Sequence, residues 1–182
     1  MIHLKNSGYM PQDASILLKK ADQLTSELDA VIRDTRVSKK FLEFDVSVPK
    51  EQLDLLVDKL ESIGKLDEAR YLVEEKIETE EALENAKFYF NNERFWECHE
   101  VLEGVWKKTH GGEKDLIQGI ILVAAAFVHY QKNENEICLS IMNRSMEKLK
   151  SVTGIYHDVN IDEFKIKTSD IIKTGKITTF TI

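Results

Sequence analysis

One stretch gathers the side chains of this sequence best suited to chemistry: Phe95-Trp96-Glu97-Cys98-His99-Glu100-Val101-Leu102-Glu103-Gly104-Val105-Trp106. Wound as a helix at about 100° per residue, it places Phe95, His99, Leu102, Glu103 and Trp106 in one narrow sector. Glu97 and Glu100 point away from that sector. An imidazole and a carboxylate thus sit four residues apart on an apolar stripe. A carboxylate in such a setting must be paired or bound to a cation, because burying it ionised is costly. A second set follows downstream. Gln118, Leu122, Ala125 and His129 repeat at helical spacing, and Gly119 with Ala124-Ala125-Ala126 lets another helix approach closely. If the two stripes face each other, His99, Glu103, Gln118 and His129 meet in one place between adjacent helices.

Several chemistries fit those residue types. His99 and Glu103 can be a buried hydrogen-bonded pair that fixes helix register. They can hold a divalent metal (zinc, manganese or iron) with His129 as a further ligand. They can also line a small-ligand pocket with Trp106, Gln118 and His129. His99-Glu100-Val101-Leu102-Glu103 is a near miss to the zinc-protease pattern His-Glu-x-x-His, with Glu103 in place of the second histidine. That gives the alternative of a metal-dependent hydrolase with Glu100 as general base and His99, Glu103 and His129 as ligands. Whether the chain is an enzyme stays open. Trp106 and Phe95 read as core residues more than as a stacking platform. Cys98 and Cys138 read as buried free thiols, His110 as a loop or helix-end residue, and His3 and His157 show no evident partner. No Ser-His-Asp arrangement, phosphate loop or dinucleotide fingerprint is visible.

The motif also resembles a known family. His99, Glu103 and Trp106 match the His-x-x-x-Glu-x-x-Trp hallmark of the prokaryotic domain-of-unknown-function family 309. Phe-Trp-Glu-Cys-His-Glu at 95–100 resembles its Phe-x-Glu-x-His-Glu, and Gln118-Gly119-Ile120-Ile121 through His129-Tyr130 is similar to its second signature helix. The family's usual Gly-Asn pair is Asn133-Glu134 here. The resemblance covers roughly residues 80–155. It implies a small helical bundle and a metal-binding role for the motif, with no established activity.

The elements that must position these residues fall into two halves. Residues 1–75 read as strand, helix, strand, strand, helix, strand. Met1–Lys5 alternates apolar and polar; Leu17, Ala21, Leu24 and Leu28 form a helical stripe; Ala30–Val37 and Lys40–Val48 form a hairpin. Leu53, Leu56, Val57, Leu60 and Ile63 mark a second helix that stops at Gly64, and Ala69–Val73 reads as a last strand. The order is that of a ferredoxin-like βαββαβ module. From Thr79, read as an N-cap, the period becomes helical, with helices near 80–92, 94–109, 114–132 and 135–151. The fold class is therefore α+β: a ferredoxin-like module over 1–75, an antiparallel helical bundle over 79–155, and a tail over 156–182. In the tail, Ile161–Ile172 reads as a short helix and Lys176–Ile182 as a strand returning to the N-terminal sheet.

Composition limits the function classes. The 182 residues are 42% hydrophobic and carry a formal net charge of -7, ample for a core and wrong for a general phosphate-backbone binder. Residues 1–75 hold 11 basic and 15 acidic side chains, a net of -4, so that half suits protein contacts and self-association better than nucleic acid. The most apolar window, Leu116–Tyr130, is shorter than the roughly 20 residues a membrane span needs. No leader pattern is visible at Met1-Ile2-His3-Leu4-Lys5. These features predict a soluble, cytoplasmic protein, homo-oligomeric or bound to a protein or small-molecule partner.

Overall fold

A computed structural model describes residues 1–71 and 78–182. The chain divides into two compact units, Met1–Glu75 with Gln131–Asn133, and Lys76–Tyr130 with Glu134–Ile182. Among the described residues, no helix is long and apolar enough to cross a membrane.

The first unit runs β1 (Ile2–Lys5), α1 (Ala14–Leu24), β2 (Val31–Val37), β3 (Phe41–Ser47), α2 (Leu53–Leu60) and β4 (Leu66–Ala69). Its four strands form one antiparallel sheet in the order β2-β3-β1-β4. Alternation sets which face is buried: Ile2, Leu4, Leu42 and Phe44 join Leu17, Ala21, Leu56 and Leu60 in one apolar core. Local side chains fix the connections. Asn6 Oδ1 accepts from the Gly8 and Tyr9 amides, and Asn6 Nδ2 donates to the Ser38 carbonyl, tying β1 to the β2–β3 turn. In that turn Ser38 Oγ accepts from the Phe41 amide at 2.8 Å. The expected last strand at 69–73 is observed earlier, at Leu66–Ala69, and residues 72–73 lie outside the described residues.

The second unit contains α3 (Thr79–Asn91), α4 (Phe95–Trp106), α5 (Gly111–Gln131), α6 (Asn135–Lys148), a short hairpin of β5 (Ile155–Tyr156) and β6 (Val159–Asn160), and α7 (Ile161–Thr174). Thr79 is the first helical residue of α3 and Glu78 takes the cap position, so the expected Thr79 cap is not formed. Asn160 does cap α7, accepting from the Glu163 amide at 3.0 Å. The core is aromatic. Phe90 lies 5.1 Å from Phe95 and 6.0 Å from Phe127, and Phe95 stacks on Phe127 at 4.7 Å. Gly119 is where α5 meets the end of α6: an added Cβ would lie 2.5 Å from the Leu149 side chain. Ser145 Oγ, fully buried, donates to the Gly119 carbonyl at 2.7 Å.

The tail differs from its expectation. Residues 176–182 form no strand, and all four strands of the N-terminal sheet come from residues 2–69. The Thr-Ile-Phe pattern instead packs on the helical core, where Phe180 enters the aromatic cluster 5.6 Å from Phe90. A strand pattern shows which side chains want burial, and a groove lined with rings satisfies that need without a ladder.

Candidate functional site

The site motif lies on α4. Arg94 precedes the helix, and its Nε donates to Glu97 Oε1 at 2.9 Å, with a second bond from Nη2. This places an acid in the first turn, where the helix dipole favours it. The packed face of α4 is Phe95, Cys98, Leu102 and Val105. At about 100° per residue that face is centred roughly 65° round the helix from the sector expected from sequence. His99 and Glu103 therefore sit at the edge of the buried stripe. Their side chains are 20% and 43% exposed. The expectation of a buried His/Glu pair is corrected accordingly: Glu103 is exposed to solvent, which removes the desolvation problem that motivated it.

His99 is nonetheless held on several sides. Its Nδ1 lies 3.2 Å from Glu100 Oε1, and its Nε2 lies 3.7 Å from Glu103 Oε1. The imidazole stacks on Trp96 with ring centroids 5.7 Å apart and planes 9° from parallel. Glu100, which the helical wheel sets apart from the site, is thus a direct partner of His99. Glu97, which the wheel also sets apart, is buried and bonded to Arg94.

The remaining expected residues have their own surroundings. Trp106 is half-buried, with Lys114 Nζ 4.2 Å from the centre of its indole ring. Its Nε1 is buried, with no hydrogen-bond partner among the described residues. Gln118 is half-buried on α5, beside Gly119. His129 Nδ1 bonds to Glu134 in the turn after α5. Within the expected ligand set, His99 and Glu103 are the pair brought into contact among the described residues.

The two cysteines are buried free thiols. Burial pushes the Cys98 thiol up strongly, with the Glu97 charge adding to it, and pushes Cys138 up to about 12. A nucleophile or thiolate ligand needs the opposite shift.

A second polar cluster lies in the first unit and was missed from sequence. His3 Nε2 lies 3.1 Å from Glu43 Oε2, and Arg36 Nη1 bonds to Glu43 Oε1. Arg36 Nη2 also lies 3.4 Å from Asp34 Oδ2. His3, Arg36 and Glu43 are all buried. The register explains the meeting: Glu43 is the cross-strand partner of both His3 and Arg36. The available signal was that Glu43 shares a strand face with Asp45 and Ser47 while His3 faces away from Ile2 and Leu4, but the pairing of β1 with β3 was needed to join them.

Comparison with known proteins adds the following. No curated protein matches the chain. Among solved structures, a conserved hypothetical protein from Thermus thermophilus, TTHA0068, is similar, at 24% identity and a TM-score of 0.45, over 50% of this chain and 95% of that one. The family model described as "Domain of unknown function (DUF309)" matches residues 83–141, which include α4 and α5 with His99, Glu103, Trp106, Gln118 and His129. Residues 83–141 of this chain are therefore a DUF309 domain.

Proposed function

We propose that the DUF309 domain binds a divalent metal ion at the edge of α4, with His99 Nε2 and Glu103 Oε1 as protein ligands. The observation that carries this reading is the bond between Glu100 and His99 Nδ1. A carboxylate on one ring nitrogen fixes the tautomer and presents the other nitrogen as a lone pair, the usual support of a metal-ligating histidine. The 3.7 Å between Nε2 and Oε1 is close to what two ligand bonds of about 2.0–2.2 Å to one ion would span. Imidazole with carboxylate suits zinc, manganese or iron. Two protein ligands leave positions for water, so the ion is exchangeable.

The function supported is ion or small-ligand binding. The rival, a hydrolase with Glu100 as base, has less support, because that carboxylate is engaged with His99. Calorimetric titration of the full chain with zinc, manganese or iron(II) tests the reading. Binding that is lost in His99→Ala and in Glu103→Gln supports it; absent heat in the wild type, or binding unchanged in both variants, sinks it.

For the first unit, we propose a ferredoxin-like module that serves protein contacts, including self-association. The strand order β2-β3-β1-β4 supports the topology, and β2 and β4 supply sheet edges for pairing. Light scattering checks the association, with a monomer at working concentrations as the contrary result.

A further inference from the structure

The two helices that carry the motif run antiparallel, and two contacts fix their level. Phe95 at the start of α4 stacks on Phe127 toward the end of α5 at 4.7 Å, and Trp106 at the end of α4 takes Lys114 Nζ, from the start of α5, at 4.2 Å over its indole ring. Between those rungs, one helical turn back from Trp106 reaches Glu103, and a second reaches His99. One turn forward from Lys114 reaches Gln118, and the next reaches Leu122. Gln118 therefore lies level with Glu103, and Leu122 with His99. The solvent-facing sides agree. His99, Glu103 and Trp106 are half-buried on α4, and Lys114, Gln118 and Leu122 are half-buried on α5. The Lys114–Trp106 contact joins the two strips at one end, so they line the same seam.

The α5 strip brings two polar heads to that seam without engaging them. The acids on either side of Lys114 are committed elsewhere: Glu113 Oε1 accepts from the Tyr156 hydroxyl at 2.7 Å, and Asp115 Oδ1 pairs with Lys148 Nζ at 3.1 Å. Among the described residues, Lys114 makes no ion pair and the Gln118 amide makes no hydrogen bond. Lys114 lies over the indole instead, which holds its stem and aims its charge along the seam. A cation and an amide donor thus stand on the helix beside the His99–Glu103 pair. A lone ammonium beside a metal ion is repelled by it, and an anion between the two offsets both charges.

We propose that the ligand of this site is a small oxyanion, a phosphate or carboxylate group, whose oxygens are held by Lys114 Nζ and the Gln118 amide while one of them fills an open position on the ion. This rests on the metal reading above. His99 and Glu103 hold the ion, and α5 supplies the charge and the directed hydrogen bond that select an anion over a neutral ligand. Trp106 is the positioning residue for Lys114, through the face of its ring.

Calorimetry of the full chain separates the two claims. Zinc, manganese and iron(II) are each titrated alone; the chain loaded with the metal it binds then receives inorganic phosphate or, in a parallel arm, acetate, in chloride buffer. Saturable binding of at least one anion is expected, and the tighter arm identifies the group. Lys114→Met is expected to bind the metal at least as tightly as wild type and the anion about tenfold or more weakly, because a charge-assisted contact is lost. Lys114→Arg is expected to keep most of the anion affinity. A metal-loaded wild type that takes up neither anion overturns the proposal and leaves the metal reading standing. A folded Lys114→Met chain that binds the anion as wild type does has the same consequence. Should Lys114→Met fail to fold, Gln118→Leu decides: weakened anion binding with the metal retained supports the site, and unchanged anion binding overturns it. A wild type that binds none of the three metals overturns the metal reading, and the oxyanion site falls with it.

Discussion

His3 on β1 and Glu43 on β3 are cross-strand partners, with Nε2 and Oε2 3.1 Å apart and both side chains buried. Arg36, the partner of Glu43 on β2, bonds to its other carboxylate oxygen. The three side chains therefore form a buried polar row across β1, β3 and β2, and removing one member takes a buried ionic or hydrogen-bond partner from the others. We expect Glu43→Gln and Arg36→Met to destabilise the chain by about 3–5 kcal/mol each in denaturant titrations. Replacing the set together by apolar residues of similar volume is expected to cost much less. A combined loss equal to the sum of the single losses would contradict the pairing.

Gly119 meets Leu149 so closely that a methyl group there would lie 2.5 Å from the leucine side chain. We expect Gly119→Ala to cost about 1–3 kcal/mol from overpacking. Part of that loss should return in Gly119→Ala/Leu149→Ala, so the double-mutant cycle is expected to show coupling of about 0.5–3 kcal/mol. Simple additivity would show that α5 and the end of α6 do not touch there.

The buried thiols give a chemical and a pH-dependent readout. Cys98 and Cys138 are expected to resist a thiol reagent in the native chain at neutral pH and to react after denaturation. For Cys138 the folded pKa is raised from 9.0 to about 12 by burial. Its stabilising contribution is then complete below about pH 9 and is lost as pH climbs toward about 12, because the unfolded thiol ionises first. Cys138→Ala should flatten part of the alkaline fall in melting temperature, and an unchanged fall would assign it to other groups such as Tyr156, whose hydroxyl is also pushed up.

The four main helices of the second unit were legible because their apolar residues recur at helical spacing and Asn, Gly and charged residues interrupt them. Strands β1, β2 and β3 were legible for the same reason at period two, whereas the last strand, expected at 69–73, lies at Leu66–Ala69. What the wheel missed on α4 was which residues anchor its packed face. Cys98 and Val105 are as buried as Phe95, and they pull the buried stripe away from Glu103. The tail was misread because Thr, Ile and Phe favour strands wherever partners exist, whereas Phe180 found rings instead. The His3–Glu43–Arg36 row depends on strand order, which period alone does not reveal. The β5–β6 hairpin turns through His157 and Asp158, at φ 42 and 61, residues that carry no strong turn signal together.

If Glu100 holds the imidazole, its role is to position His99 rather than to ligate. Glu100→Gln is then expected to weaken metal affinity by about 10–100-fold while keeping the stoichiometry. Loss of stoichiometry in that variant would make Glu100 a ligand, and an unchanged affinity would remove it from the site.

The metal content of the chain itself is the most direct measurement. Untagged protein, purified without chelators and dialysed against zinc, manganese or iron(II), is analysed for bound metal beside His99→Ala and Glu103→Gln. The account predicts near-stoichiometric metal in the wild type and its loss in both variants, each still melting cooperatively. A wild-type chain that holds no metal, or a His99→Ala chain that holds as much, would contradict it.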